Sequence, residues 1–565
     1  MLTELRFLDG PNLYFPRPAV KLTFDLSVAA ELSPAAAKQL ATAVGVRVAR
    51  PGDPGSGQRQ LLLERIARAV LRSVAAGAGT TRLAIRVRAG ADPASVVLAY
   101  PWRRRGKAEA LGETVARVLD ALVAGPPVGA QARALIASAA AEVVAAEPGP
   151  GPDLPSPRIP IASVTGTNGK TTVTRLLSHL AMTAGYRTGW TNTDGIYLEG
   201  ELIEAGDWSG PGGARRVLAE RGLQLAVLET ARGGLLLRGM GVDHNDVSVV
   251  TNVSSDHLGL QGIDTLDQLA EVKAVIVGVT RAKGWTVLNG DDPRTFAMRT
   301  RSKARPWVFS LDPASPSLRA ALDEGGRGAT VLDGDLVILA AGSEPDHLLP
   351  VAEVPLTLAG LSLHNVANAL AAAAAALALG FSKAAVVSGL RTFQPDSVHN
   401  PGRMNLFDLG GVTVVVDLAH NEAGLEALIH VMNGLRPEAS RTRLVLGIAG
   451  DRQDEVLRAV AAMAARGVDD VLIGHKERYL RGRTTAEMAT IYRAGAAEVG
   501  VDDLEERPTE LAGLRTLLGR SSAGDVVAVM CHAEREEIYT WLAEAGALPT
   551  TPTPHPTPNP NPSRS

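Results

Sequence analysis

Thr165-Gly-Thr-Asn-Gly-Lys-Thr-Thr172 stands between an apolar run at 159–164 and a helical pattern at 171–184. A strand that enters a glycine-bearing turn and leaves as a helix presents free backbone N–H groups, and the positive end of the helix dipole, to an anion. Lys170 is long enough to reach β- and γ-phosphates, and the Thr171 hydroxyl is an oxygen ligand of the kind Mg²⁺ accepts. Gly166, Thr167, Asn168, Gly169, Lys170, Thr171 and Thr172 are therefore candidate nucleotide-binding residues. The general phosphate loop carries glycine five positions before Gly169; here that position is Val164, so this is a shorter variant. A plain glycine turn beside a surface lysine is the alternative, and the flanking strand and helix argue against it.

On the C-terminal side, short apolar runs at 225–228, 247–253 and 285–288 alternate with amphipathic helical patterns. That rhythm predicts a mostly parallel sheet covered by helices, a doubly wound central domain over 159–398. Residues 300–355 are less regular and read as a small excursion. A break at 395–401 precedes runs at 412–418, 443–448, 470–473 and 525–530, which predict a separate Rossmann-like domain over 399–546. On the N-terminal side, strand-like alternation at 20–26, 81–88 and 95–100, with helical spacing at 61–75 and 109–123, predicts a small α+β domain over 1–146. The Pro/Gly-rich stretch 147–158 reads as a linker and the Pro/Thr-rich stretch 547–565 as a disordered tail.

The 565 residues suit roughly three to four domains. Net charge is −3, which gives no bulk signal for nucleic acid or a membrane surface. The apolar stretch 369–379 is mostly alanine and far below the ~20 residues of a membrane span, so it reads as a buried helix. Cys531 is the single cysteine, which rules out an intramolecular disulfide and fits a cytoplasmic protein. The polar, charged first residues carry no apolar secretory core. A homo-oligomer is left open.

The loop Gly166-Thr-Asn-Gly-Lys-Thr-Thr172 resembles that of the Mur ligases and folylpolyglutamate synthetases. Glu229-Thr-Ala-Arg-Gly-Gly234, Thr251-Asn-Val-Ser-Ser-Asp-His-Leu258, Leu363-His-Asn-Val-Ala-Asn368, Pro401-Gly-Arg-Met404 and Asp417-Leu-Ala-His-Asn421 agree with that family in order and spacing. Thr193-Asp-Gly-Ile-Tyr197, His257-Leu-Gly-Leu-Gln-Gly-Ile263, Gly450-Asp-Arg452 and Arg481-Gly-Arg483 are similar to the Mur-like half of cyanophycin synthetases. Residues 1–150 are more weakly similar to the N-terminal domain of those enzymes. Their ATP-grasp domain has no counterpart here, where the linker 147–158 stands.

The resemblance implies an ATP- and Mg²⁺-dependent ligase that makes an amide through an acyl phosphate, adding an amino acid to an acidic peptide or polymer. Arginine joined to an aspartyl side chain is the sharpest form. It also implies roles for single residues. Glu229 would hold Mg²⁺ beside Thr171 and His257 would serve a second Mg²⁺; Lys273 matches a lysine often carbamylated in the family, though an exposed helical lysine is the competing reading. Asn365 and Asn368, three apart on one helix face, would contact adenine; Asn365 could instead cap the helix. Arg403 would reach the phosphates and Asp417 the ribose, with His420 and Asn421 beside the reacting centre.

Other charged residues keep two readings. Lys476, Arg478, Arg481 and Arg483 could hold an anionic substrate or form a solvated face. Asp451, Asp454 and Glu455 could recognise a cationic amino acid or do nothing specific. Asp194 and Asp207 are loop residues without a role, and Cys531 reads as a structural thiol. Two further functions compete: a non-catalytic nucleotide-binding subunit working with a separate ATP-grasp ligase, and a folylpolyglutamate-type ligase.

Overall fold

The computed structural model describes residues 1–90, 92, 94–125, 129–255 and 258–552. In the N-terminal part, Leu2–Leu8, Ala19–Asp25, Ser95–Pro101 and Arg86–Ala89 form an antiparallel sheet in that spatial order. Val20, Leu22 and Phe24 point into the core while Lys21 and Thr23 face the other way, the period-2 signature of a sheet covered on one face. The helices Gly57–Gly77 and Arg105–Ala124 supply the other half of that core through residues such as Ile66, Val70, Val115 and Leu119. This is the α+β arrangement that the alternation predicts.

The central sheet has 11 strands. Its parallel core runs Arg327–Leu332, Arg305–Phe309, Thr280–Asn289, Asn245–Val250, Ile161–Thr165, Leu225–Glu229 and Thr188–Thr191. Antiparallel strands extend both edges. Ala162 and Val164 face the helices Lys170–Thr183 and Leu363–Ala378, whereas Ile161 packs with Val272 and Ile276 on the opposite layer. The strands are thus buried on both faces, which is why they read as unbroken apolar runs.

Residues 300–355 are not an excursion. Arg305–Phe309, Arg327–Leu332, Asp335–Ala340 and Asp346–Pro350 carry the same sheet outward. These strands are five or six residues long, the first two separated by the short helix Pro316–Asp323 and the others by Gly, Asp and Pro turns, so no single run is long enough to stand out in the sequence.

The C-terminal domain has a seven-stranded sheet. Glu505–Arg507, Asp470–Gly474, Thr442–Leu446, Val526–Met530 and Val412–Asp417 run parallel, and Asn405–Leu409 joins antiparallel to Val412–Asp417. Val526–Met530 lies between Thr442–Leu446 and Val412–Asp417, so the loops that follow these strands gather at one carboxyl edge. Leu548–Pro549 pairs with Phe407 and Asp408 as a last edge strand. The beginning of the segment read as a tail is therefore held; an edge position tolerates Pro549, which has no N–H to donate. The rest of that segment, from 553, lies outside the described residues.

Candidate active site

The phosphate loop leaves Ile161–Thr165 near the middle of the sheet and ends at Gly169, the residue before the helix Lys170–Thr183. Gly169 has φ +86°, and a Cβ there would overlap Oδ1 of Asn368. Gly166 is crowded in the same way by the Thr251 side chain. Glycine is required at both positions because a side chain would be strained at Gly169 and would collide at either.

The loop is braced from the neighbouring strand end. Asn168 N donates to Asn252 Oδ1 at 2.9 Å, Thr167 N donates to Asn252 O at 2.9 Å, and Thr167 Oγ1 donates to Ser254 O at 3.1 Å. Lys170 Nζ donates to Thr167 O at 2.8 Å, folding back over its own loop. Lys273 comes from the other side: it is buried, and its Nζ donates to Gly166 O at 2.6 Å. An exposed helical lysine is therefore not what the structure contains.

Glu229, at the carboxyl end of Leu225–Glu229, is 2% exposed. Its Oε2 accepts from Thr171 Oγ1 at 2.9 Å and its Oε1 from Thr193 Oγ1 at 3.0 Å. A buried carboxylate against a threonine hydroxyl at the foot of a phosphate loop is an all-oxygen donor pair of the kind Mg²⁺ uses with phosphate and water. The described residues contain no cluster of three or more His, Cys, Asp or Glu side chains able to hold a metal. His257 lies outside the described residues.

Facing the loop is a cleft of about 350 Å³. Asn365 and Asn368 line it beside the loop, and Arg403, Asp417 and His420 line it from the C-terminal domain, so residues spread over more than 250 positions of sequence meet there. Asn368 Nδ2 donates to Asn365 Oδ1 at 3.0 Å. Ser362, not Asn365, occupies the cap position of Leu363–Ala378, so the capping alternative fails. Asp417 ends Val412–Asp417 and accepts from Met404 N and Ala419 N, each at 2.8 Å. Burial pushes its carboxyl up, while Arg403, those two N–H groups and His420 pull it down.

Asn168 and Asn421 exchange amide hydrogen bonds of 3.2 and 2.9 Å, closing the loop of one domain onto the other. Asn421 also caps Glu422–Leu435 by accepting from Gly424 N at 2.9 Å. The cleft is therefore an interdomain site of the size that small-molecule ligands fill.

The charged runs resolve differently. Lys476 is buried and pairs with Glu510, which is itself buried and accepts from the backbone N–H groups of His532, Ala533 and Glu534. Arg483 pairs with Asp454 at 2.7 Å and donates to Gly450 O and Arg452 O. Asp451 pairs with Arg452 at 2.9 Å. Lys476, Arg483, Asp451 and Asp454 thus have internal partners, whereas Arg478, Arg481 and Glu455 are exposed, with Arg481 over the Tyr479 ring. Cys531 is buried, and its thiol is pushed up by burial and then by Glu510, as suits a structural residue. Asp207 braces Ser209. Thr193, Asp194, Arg175 and Arg535 were not assigned from sequence. Thr193 and Asp194 sit in a quoted motif, but Arg535 is 341 positions from Asp194 and no local pattern joins them.

Comparison with known proteins identifies the family. The Mur ligase middle domain matches residues 164–376, and the Mur ligase glutamate ligase domain matches 402–532. The cyanophycin synthetase of Trichormus variabilis is 41% identical over 352 residues, which cover 62% of this chain but only 38% of that protein. The UDP-N-acetylmuramyl-tripeptide synthetase of Deinococcus radiodurans is 30% identical over 408 residues, covering 70% of this chain and 76% of that one. Escherichia coli FolC, solved with DHPP and ADP, superposes with a TM-score of 0.51 at 20% identity, covering 70% of this chain and 90% of that one, a likeness of fold. No helix among the described residues is long and apolar enough to cross a membrane.

Proposed function

This chain belongs to the Mur ligase family of ATP-dependent acid–amino-acid ligases, and on that footing we propose that it joins an amino acid, arginine in the sharpest form, to the side-chain carboxylate of an aspartyl peptide. In this reading the acceptor carboxylate attacks the γ-phosphorus of ATP, releasing ADP and forming an acyl phosphate. The amine then attacks the acyl carbon, inorganic phosphate leaves with the bonding electron pair, and the amine proton passes to solvent. Negative charge accumulates on the transferring phosphoryl oxygens, so the work of the protein is to hold cations and donors there.

The observation that carries the reading is the cleft itself. Lys170 and the loop N–H groups on one wall face Arg403 and Asp417 on the other. Lys170 and Arg403 would neutralise the phosphates, Asn365 and Asn368 would contact the base, and Asp417 would bind the ribose. Glu229 and Thr171 would hold Mg²⁺, which when bound screens the phosphate charge. Lys273 would fix the loop through Gly166.

The relatives named cyanophycin synthetase supply the substrate class. The Pro/Gly-rich linker 147–158 stands where the resemblance implies an ATP-grasp domain, so in this reading the acceptor would come from a separate backbone ligase, for which an ATP-grasp enzyme is the candidate.

The test is incubation with ATP, Mg²⁺, an aspartyl peptide and each amino acid in turn, with phosphate release and product mass both measured. Phosphate release that depends on arginine, with the matching mass increase on the peptide, is the expected result. ATP binding without turnover under any acceptor would overturn it. Lys170→Ala should lower the rate at least about 100-fold, the order lost when one preorganised charge donor is removed.

A further inference from the structure

The loop after Thr188–Thr191 touches both halves of the proposed site. Thr193 holds Glu229. The next residue, Asp194, gives one oxygen to each of two arginines: Oδ2 to Arg175 Nη2 at 2.7 Å and Oδ1 to Arg535 Nη1 at 2.7 Å. Arg175 is on the phosphate-loop helix with its side chain 4% exposed, and Arg535 opens the C-terminal domain's helix Arg535–Glu544.

Arg535 leans on the turn that carries Arg403. A Cβ on Gly402 would come within 3.2 Å of Arg535 Cδ. Tyr539, one turn further along the same helix, accepts from Gly402 N at 2.6 Å. Asn400, in the same turn, accepts from Arg175 Nη1 at 3.3 Å. Burial acts to raise the Asp194 carboxyl, but Arg175, Arg403 and Arg535 outweigh it and hold it below the usual carboxylate range. Asp194 is therefore an anion at neutral pH.

We propose that Asp194 is a positioning residue, an interdomain ion-pair latch that ties the loop holding Glu229 to the turn presenting Arg403. Opening the C-terminal domain breaks the Arg535 arm and releases the Arg403 turn, whereas closing it sets Arg403 and Glu229 in register. The roles of Glu229 and Arg403 rest on the function proposed above; the latch geometry does not. Phosphoryl transfer is sensitive to such registration, because a displacement of about 1 Å far from the reacting atoms can cost about 100-fold in rate. An ion pair that only holds the fold together would lower stability and leave the rate of the folded fraction alone.

The experiment compares wild type, Asp194→Asn, Arg535→Gln, their double variant and Arg535→Lys, each as the full chain with folding checked by calorimetry. Asp194→Asn and Arg535→Gln should each lower kcat about 10–100-fold while the KM for ATP moves less than about threefold, since the loop residues 166–172 keep their own hydrogen bonds. The double variant should lose no more than the worse single one, and Arg535→Lys should recover most of the rate. Losses that multiply in the double variant, or a kcat that does not change, would overturn the latch.

A second readout is independent of turnover. Small-angle X-ray scattering with Mg²⁺ and ADP should show wild type more compact than Asp194→Asn. Identical profiles would overturn the latch even if wild type shows no amino-acid-dependent phosphate release, a result that would count separately against the proposed function.

Discussion

At Gly169 a single methyl group would press the phosphate loop against the helix Leu363–Ala378 beside it. The residue holds φ +86°, and its Cβ would overlap Asn368 Oδ1. Gly169→Ala therefore incurs about 1–2 kcal/mol of left-handed backbone strain and also pushes Asn368 away from Asn365. Nucleotide affinity should fall at least about tenfold, which corresponds to 1.4 kcal/mol. Titration calorimetry with ADP reads this directly; wild-type affinity would mean that the loop geometry described here is wrong. Gly169 was legible because the whole loop is contiguous in sequence and its chemistry is local. Lys273 was less legible, since a lysine at the end of an amphipathic helix looks the same whether it meets solvent or a carbonyl 107 positions away. Asp194 was not legible, because its meaning comes from an arginine in another domain.

The helix Leu363–Ala378 explains the run of alanines that otherwise looks like low-information sequence. Ala369 and the residues from Ala371 to Ala376 are fully buried, some against the sheet and some against Lys170–Thr183. Small side chains allow that helix to sit between the sheet and its neighbour, and its first two turns then deliver Asn365 and Asn368 to the cleft. Ala373→Leu forces extra methylene groups into this packing and should destabilise the protein by about 1–3 kcal/mol. Urea unfolding measures it as a lower midpoint with an unchanged slope; a midpoint equal to wild type would show that space exists there. The buried helix was readable from its apolar composition. The outer strands of the same sheet, in 305–350, were not, because five- and six-residue strands broken by a short helix and by Gly, Asp and Pro turns leave no sustained period. Their identity depends on pairing register with neighbours, which is a property of the folded sheet.

At the scale of the whole molecule, the N-terminal domain stands behind the nucleotide cleft and does not line it. It meets the central domain through Asp9 N to Arg238 O, Met240 N to Pro11 O, and Arg88 paired with Glu271 on the helix Leu266–Lys273 that also carries Lys273. The cleft instead joins the central and C-terminal domains, through Asn168 with Asn421 and Asp194 with Arg535. A ligand that binds only the folded state stabilises whatever it touches, by about 2.7 kcal/mol at a hundredfold excess over Kd. A nucleotide in this cleft should therefore raise the protection of both walls together. Hydrogen exchange followed by mass spectrometry, with and without Mg²⁺ and ADP, should show slower exchange in 166–172 and also in 403–421, with the sheet at 2–101 unchanged. Protection confined to 166–172 would mean that Arg403 and Asp417 do not reach the nucleotide, and the two-walled site would have to be given up. Slowing that spreads into 2–101 would mean that the N-terminal domain is coupled to nucleotide binding, with the Arg88–Glu271 pair on the Lys273 helix as the route.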